Sequence, residues 1–119
     1  MERKIIEAIE KVKLICDSAF DKKAEDIVIM DMRQKAAFCD HFVVMNAPSS
    51  ARVKTIADHI EESLETQGHR ASHKEGYLEA LWVLLDYGDV VVHVFHHETR
   101  KFYNLENLWG DAPKRIFLK

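Results

Sequence analysis

The part of the sequence that most constrains the fold is a pair of apolar runs joined by two turn-forming residues. Residues 81–87 and 90–95 are rich in β-branched and aromatic side chains, and Gly88-Asp89 separates them. In a two-residue hairpin loop, a glycine supplies the positive φ that the tight turn needs. The pattern therefore predicts a β-hairpin, and its turn fixes which residues of the two strands face each other.

The predicted register gives the hairpin an aliphatic face and a mixed face, because side chains alternate between the two sides of a strand. The aliphatic face ends at Tyr87 and is expected to pack against helices. The mixed face combines large apolar groups with a carboxylate and an imidazole, which are costly to bury without partners. Its members are Trp82, Leu84, Asp86, Val91, His93 and Phe95.

The mixed face allows two interpretations. In the first, another macromolecule covers it, since aromatic side chains beside a few polar groups dominate binding at protein interfaces. In the second, the chain's own helices cover it, and Asp86 and His93 pair with each other or with the backbone. Under the first interpretation Trp82 is the expected anchor. A free apolar face would also favour a symmetric homodimer that competes with the partner.

Periodic apolar residues predict two long helices and two further strands. Spacings of three and four predict a helix over residues 2–20 and a second helix that Ser49 or Ser50 caps and Gly68 ends. Short apolar runs at residues 27–30 and 42–45 are typical of buried strands.

The remaining segments are less regular. Residues 69–76 are polar and fit either an edge strand or a loop. Thr99 is predicted to cap a last helix that Gly110 and Pro113 close. With 119 residues, of which 47% are hydrophobic, the chain is expected to form one α/β domain over residues 1–113, followed by a short C-terminal tail, 114–119. That domain is a small mixed β-sheet packed with helices.

Composition excludes several classes of protein. Seventeen Lys and Arg against twenty Asp and Glu give a net charge of −3, which provides no basic field for holding DNA or RNA. No apolar run approaches the roughly 20 residues that cross a bilayer, so no membrane partner is expected. The N-terminal segment lacks the uninterrupted apolar core of a secretory signal, which predicts a cytoplasmic protein. Cys16 and Cys39 are expected to be small buried hydrophobes.

The sequence provides little support for catalysis. The histidines near the hairpin lack the spacing of a closed metal site, and no nucleophile elbow or phosphate-binding glycine loop is present. Neither a cofactor nor a metal is therefore expected. Asp31, Asp86 and Asp89 end predicted strands, where α/β enzymes often place acids. A metal-dependent nucleotidyltransferase or hydrolase using these aspartates remains the competing hypothesis.

Several blocks of the sequence form a recognisable set: residues 26–28, 39–44, Ser49, 53–58, 75–76, 82–95, Arg100, 102–103, 105–106 and 108–109. Together these blocks closely resemble the ribosomal silencing factor family, also called Iojap, over roughly residues 3–113. Ala80 stands where that family commonly has glycine, and residues 46–48 replace a glycine-containing turn. The hairpin, residues 82–95, is the most specific of the matching blocks.

The resemblance implies a fold like that of nucleotidyltransferases and a non-enzymatic factor that represses translation when nutrients are scarce. Such a factor docks on ribosomal protein fourteen of the large subunit and blocks joining of the small subunit. The docking face is then predicted on the hairpin's mixed side and its rim. The predicted partner-binding residues are Trp82, Leu84, Asp86, Tyr87, Asp89, His93, Phe95, Arg100 and Tyr103.

Overall fold

The computed structural model describes residues 2–36 and 38–118, with side chains from Ile6 onward. Among these residues no helix is long and apolar enough to cross a bilayer. The helices and strands follow one another as α1 (Glu2–Asp21), β1 (Glu25–Asp31), β2 (His41–Ala47), α2 (Ser50–Thr66), β3 (His73–Glu75), β4 (Trp82–Asp86), β5 (Val90–His96), α3 (His97–Tyr103), α4 (Leu105–Leu108) and β6 (Lys114–Ile116).

The strands form one mixed six-stranded sheet in the order β3-β4-β5-β2-β1-β6. β2 and β5 are parallel neighbours, while every other pair is antiparallel. The parallel pair is possible because the long connection through α2 returns the chain across the sheet before β5 begins. The predicted fold class, a small mixed sheet packed with helices, is confirmed.

The helices α1 and α2 pack together on one face of the sheet, where they bury the main hydrophobic core. Both predicted helices are confirmed. Ser49 caps α2, because its Oγ accepts a hydrogen bond from the backbone N–H of Arg52 at 3.1 Å. The buried stripe of α2 follows the helical spacing of the sequence and consists of Val53, Ile56, Ala57, Ile60 and Leu64.

The hairpin has the register that its turn predicts. Trp82 pairs with Phe95, and Asp86 pairs with Val91. Gly88 has a φ of 86°, a value at which a side chain would strain the backbone. Residues 69–76, which fit either a strand or a loop, contribute the three-residue edge strand β3.

The prediction of a single last helix capped by Thr99 is wrong. The helix begins at His97, and His96 caps it by accepting a hydrogen bond from the N–H of Glu98. Asn104 then adopts a left-handed conformation with a φ of 42° and divides the segment into α3 and α4. Asparagine tolerates this conformation better than most residues because its short side chain bonds locally.

Residues 114–116, predicted as part of a short tail, form the edge strand β6 beside β1. The side chains of this strand are exposed, so the alternation that reveals a half-buried strand is absent from its sequence. Phe117 continues the contact, since its N–H donates to the carbonyl of Ile27 at 2.9 Å.

Candidate docking surface

The hairpin's mixed face is largely covered by the chain itself. A second hydrophobic cluster lies on this side of the sheet, away from α1 and α2, and includes Met32 after β1 and Leu105 of α4. Within it, His93 is 4% exposed and Phe95 is fully buried. The expectation that these two side chains are available to a partner is therefore wrong. The alternation of side chains along a strand shows which residues share a face. It does not show which other segments of the chain will cover that face.

Burial keeps the His93 imidazole neutral. Trp82 Nε1–H donates to His93 Nδ1 at 3.1 Å, and the Phe42 ring lies edge-on with its centroid 4.6 Å from that of His93. Among the described residues, no group is a hydrogen-bond partner for the buried His93 Nε2. Desolvation therefore lowers the pKa of His93 to about 4. The second interpretation had Asp86 and His93 pairing with each other or with the backbone. Asp86 pairs with the backbone, since its Oδ1 accepts from the N–H of Gly88 at 2.8 Å.

The part of the mixed face on β4 stays partly open. Trp82, Leu84 and Asp86 alternate with buried residues and are each half-buried, while α3 packs mainly over β5 and β2. Trp82 lies between two other rings, with its centroid 4.9 Å from that of Phe95 and 4.8 Å from that of Tyr103. The open part of the face is thus centred on Trp82.

Beside Trp82, a groove of about 840 Å³ runs between the loop before β4 and helix α3. We refer to it as the docking groove, lined by Lys74, Gly76, Tyr77, Leu78, Glu79, Leu81, Trp82, Glu98, Thr99, Phe102 and Tyr103. Two of its apolar side chains, Leu78 and Phe102, are 87% and 82% exposed. Exposed apolar groups that line one concavity are typical of interaction sites.

Sequence reasoning identified Trp82 and Tyr103 in this groove but missed Leu78, Leu81 and Phe102. Phe102 fits the apolar spacing of the predicted last helix, so it appeared to be a core residue. The break at Asn104 separates α3 from α4, and Phe102 is exposed. Leu78 follows the polar segment 69–76 and precedes the predicted strand, and this position between elements is the local signal that favoured exposure.

Carboxylates flank the docking groove. Glu79 and Glu98 line it and are exposed, and neither forms an ion pair with another residue that the structure describes. Lys74 is the one lysine among the lining residues, and its Nζ is paired with Glu61 Oε1 at 2.6 Å. The free charge at the groove is therefore negative.

Tyr87 and Asp89, two of the predicted rim residues, lie away from the groove. Tyr87 is 7% exposed and packs in the core beneath α1 and α2, and burial raises the pKa of its hydroxyl. Asp89 in the hairpin turn forms a salt bridge with Lys11 of α1 at 2.9 Å. The alternating pattern alone placed Tyr87 on the aliphatic face, which the structure confirms.

Arg100, another predicted rim residue, is an internal tie. Its Nη1 donates to the carbonyl oxygen of Asp26 and to Asn46 Oδ1, both at 2.6 Å. Its Nε and Nη2 donate to the two carboxylate oxygens of Glu106 at 3.3 and 3.1 Å. The side chain is 11% exposed, so it joins α3 and α4 to β1 and β2.

The three aspartates of the competing enzyme hypothesis do not form a metal cluster. Arg33 holds the Asp31 carboxylate through hydrogen bonds of 2.9 and 2.6 Å and lowers its pKa to about 2. Asp89 is paired with Lys11, and Asp86 accepts from the turn backbone. Throughout residues 2–36 and 38–118, no three His, Cys, Asp or Glu side chains are grouped to hold a metal ion.

The fold and the groove together describe a small α/β domain with an exposed apolar groove flanked by carboxylates. The chain belongs to the ribosomal silencing factor family, because the family model described as "Ribosomal silencing factor during starvation", RsfS, matches residues 5–118. The name of this family denotes a regulatory role.

Individual relatives agree with this assignment. The ribosomal silencing factor RsfS of Bacillus subtilis is 44% identical over 102 residues, or 86% of each chain. That of Halalkalibacterium halodurans is 43% identical over 87% of this chain and 89% of its own. The chloroplastic protein Iojap of Zea mays is 33% identical over 82% of this chain and 42% of its own.

Solved structures share the fold. A crystal structure of a protein from Bacillus halodurans is similar with a TM-score of 0.80 at 40% identity, covering 89% of this chain and 96% of the other. A crystal structure of a protein from Chromobacterium violaceum gives a TM-score of 0.83 at 31% identity and covers 92% of both chains.

Proposed function

We propose that this protein silences translation by binding the large ribosomal subunit through ribosomal protein fourteen and blocking the small subunit sterically. The observation that carries the proposal is the docking groove with Trp82 on its floor and Leu78 and Phe102 exposed on its walls. Membership of a family described as ribosomal silencing factors supports the ribosome as the target, and we propose the cytoplasm as the place of action.

Steric blocking requires no chemical step, so the proposed function is non-enzymatic. It requires a complex that lasts longer than an encounter between the subunits. A standard protein interface buries about 800 Å² on each partner, which a domain with a surface of 7089 Å² accommodates. His93 and Phe95 are buried beneath Trp82. We therefore leave these two residues out of the proposed docking face.

The charge around the groove indicates the chemistry of the partner surface. Glu79 and Glu98 would lie unpaired in the complex unless the partner supplies basic groups, and buried unpaired carboxylates are costly. We therefore propose that the bound face of the partner is apolar with basic residues at its edge. Its affinity is expected to fall with added salt, though less steeply than that of a protein bound to RNA phosphates.

The same groove is proposed to support a homodimer in the absence of ribosomes. An exposed apolar surface favours self-association, and a symmetric dimer uses the same patch on both copies. Dimer formation and ribosome binding then exclude each other. Light scattering with and without large subunits measures this competition, and a dimer that persists in the ribosome complex would contradict it.

Co-sedimentation with purified large subunits tests the proposed function. Replacing Phe102 by alanine is expected to weaken binding by about 2 kcal/mol, since the side chain is exposed in the free protein and buried in the complex. Joining of added small subunits should recover in parallel. Ile9→Ala on α1 is the matched control, because Ile9 is 52% exposed on the helix-covered side of the sheet.

The control variant is expected to bind like the unmodified chain. Failure of the unmodified protein to bind large subunits would overturn the proposed function. Equal binding by Phe102→Ala and Ile9→Ala would show that the docking groove is not the surface that binds the ribosome.

A further inference from the structure

The loop before β4 forms one wall of the docking groove and is fixed at its C-terminal end, where Ala80 is buried in the main core and the Leu81 carbonyl accepts from the N–H of His96 at 3.0 Å. In this loop, residues 76–81, Leu78 is 87% exposed and Leu81 is 45% exposed. Gly76 and Ala80 both adopt left-handed conformations, with φ values of 79° and 53°. The N–H of Ala80 donates to the carbonyl of Gly76 at 2.9 Å and closes the loop. The position of residues 77–79 relative to the domain therefore depends on other contacts.

Those contacts are made by Tyr77, which reaches from the loop to helix α2. The Tyr77 hydroxyl donates a hydrogen bond to Asp58 Oδ2 at 2.9 Å. The Lys74 ammonium lies 4.0 Å from the centre of the Tyr77 ring and is bonded to Glu61 Oε1 at 2.6 Å. Two carboxylates one helical turn apart on α2 thus hold the loop, one directly and one through a lysine.

We propose that Tyr77 is a positioning residue that holds residues 76–81 in place as a preformed wall of the docking groove. This inference rests on the proposed function, because the wall matters only if the groove binds a partner. The cluster of Tyr77, Asp58, Lys74 and Glu61, which we name the Tyr77 cluster, spans from β3 and the loop to α2. A wall fixed before binding avoids the entropy of ordering a loop at the interface.

The geometry assigns separate tasks within the loop. Leu78 and Leu81 present apolar surface, and Tyr77 anchors the backbone between Gly76 and Leu78. The Gly76 position reinforces the anchor, since an added Cβ would lie 2.0 Å from the carbonyl oxygen of Trp82. The loop backbone is therefore pressed against the start of β4, directly beside the residue on the groove floor.

Binding of the full chain to purified large ribosomal subunits tests this role. Tyr77→Phe keeps the ring over Lys74 but removes the hydroxyl, and it is expected to weaken binding roughly three- to tenfold. Asp58→Ala removes the acceptor and should weaken binding equally, whereas Asp58→Asn keeps an acceptor oxygen and should stay within about twofold of the unmodified chain. Each single variant breaks the same hydrogen bond, the one between Tyr77 and Asp58. The Tyr77→Phe/Asp58→Ala double variant should therefore bind no more weakly than either single variant.

Two further measurements separate positioning from general destabilisation. Amide hydrogen exchange in residues 76–81 should accelerate in Tyr77→Phe, while the melting temperature changes little because the bond is exposed. Glu62→Ala is the matched control for lost negative charge, since Glu62 lies one turn beyond Asp58 on α2 and outside the groove. It should bind like the unmodified chain.

The outcomes distinguish this proposal from the proposed function. If Phe102→Ala weakens binding while Tyr77→Phe and Asp58→Ala do not, the positioning role is wrong and the docking groove stands. Additive losses in the double variant would also overturn the role. If the unmodified chain does not bind large subunits, both the proposed function and the positioning role are wrong.

Discussion

His93 lies beneath the docking groove as a neutral imidazole. Its Nδ1 accepts from Trp82, and its Nε2 has no partner within residues 2–36 and 38–118. A buried histidine that stays neutral in the folded state makes the stability of a protein depend on pH. The folded protein holds the His93 pKa at about 4, compared with 6.5 for an unperturbed histidine. Between these two pH values the unfolded chain binds a proton that the folded chain does not. The free energy of unfolding therefore falls as the pH drops from 6.5 to 4.

The His93→Gln variant tests this dependence. Glutamine keeps an acceptor for the Trp82 N–H but does not titrate. Over this pH range the unmodified protein is expected to lose on the order of 3 kcal/mol more stability than the variant, measured by urea unfolding at a series of pH values. His41, whose pKa burial also lowers, is present in both proteins and cancels in the comparison. Parallel stability profiles would show that His93 does not titrate in the folded state at a lowered pKa.

At the scale of elements, the short helices α3 and α4 are held by polar bonds as well as by packing. α3 has no buried residue, and α4 contributes Leu105 alone. Arg100 supplies the missing attachment through its four hydrogen bonds to Asp26, Asn46 and Glu106. The wall of the groove that carries Phe102 thus depends on a guanidinium facing away from the groove.

Replacement of Arg100 by alanine is expected to cost about 2 kcal/mol of stability, because it leaves partly buried acceptors unpaired. Arg100→Lys should recover only part of the loss, since an ammonium cannot reproduce the planar fork of the guanidinium. Thermal or urea unfolding measures both effects. Binding of large subunits per folded molecule should fall less in Arg100→Ala than in Phe102→Ala. A larger fall would indicate that Arg100 contacts the partner, as the sequence predicted.

At the scale of the whole molecule, Trp82 joins the docking groove to the second hydrophobic cluster. Its indole lines the groove, stacks on Phe95 and donates to His93. One side chain therefore serves both binding and folding. Removal of a residue that only anchors a partner would weaken binding and leave stability unchanged, whereas the contacts of Trp82 predict a loss of both.

Trp82→Ala is expected to lower stability by about 3 kcal/mol and to weaken large-subunit binding by about 2 kcal/mol per folded molecule. Trp82→Phe keeps much of the apolar surface and loses the N–H donor, so its stability loss should be smaller. Unfolding and co-sedimentation of the same preparations give both quantities. Binding per folded molecule that is unchanged in Trp82→Ala would assign the residue to the core alone.

Local patterns determined most of the elements. The spacing of apolar residues predicted α1 and α2, and the Gly88-Asp89 turn fixed the register of the hairpin, because helix periodicity and turn geometry act over a few neighbouring residues. The same logic placed Tyr87 on the core side. Where the signal is short or the backbone unusual, as at Asn104 or in the exposed strand β6, the sequence predicted the wrong boundary or no element.

The sequence by itself therefore determined the α/β class, the long helices, the hairpin and the position of Trp82 on the mixed face. Only the tertiary structure decided which part of the mixed face stays open. Coverage of His93 and Phe95 depends on segments near residues 32 and 105, far apart in the chain. Arg100 and Asp89 likewise acquired internal partners at separations of 54 and 78 residues. Contacts between distant segments follow from the packing of the whole domain, and no local pattern encodes them.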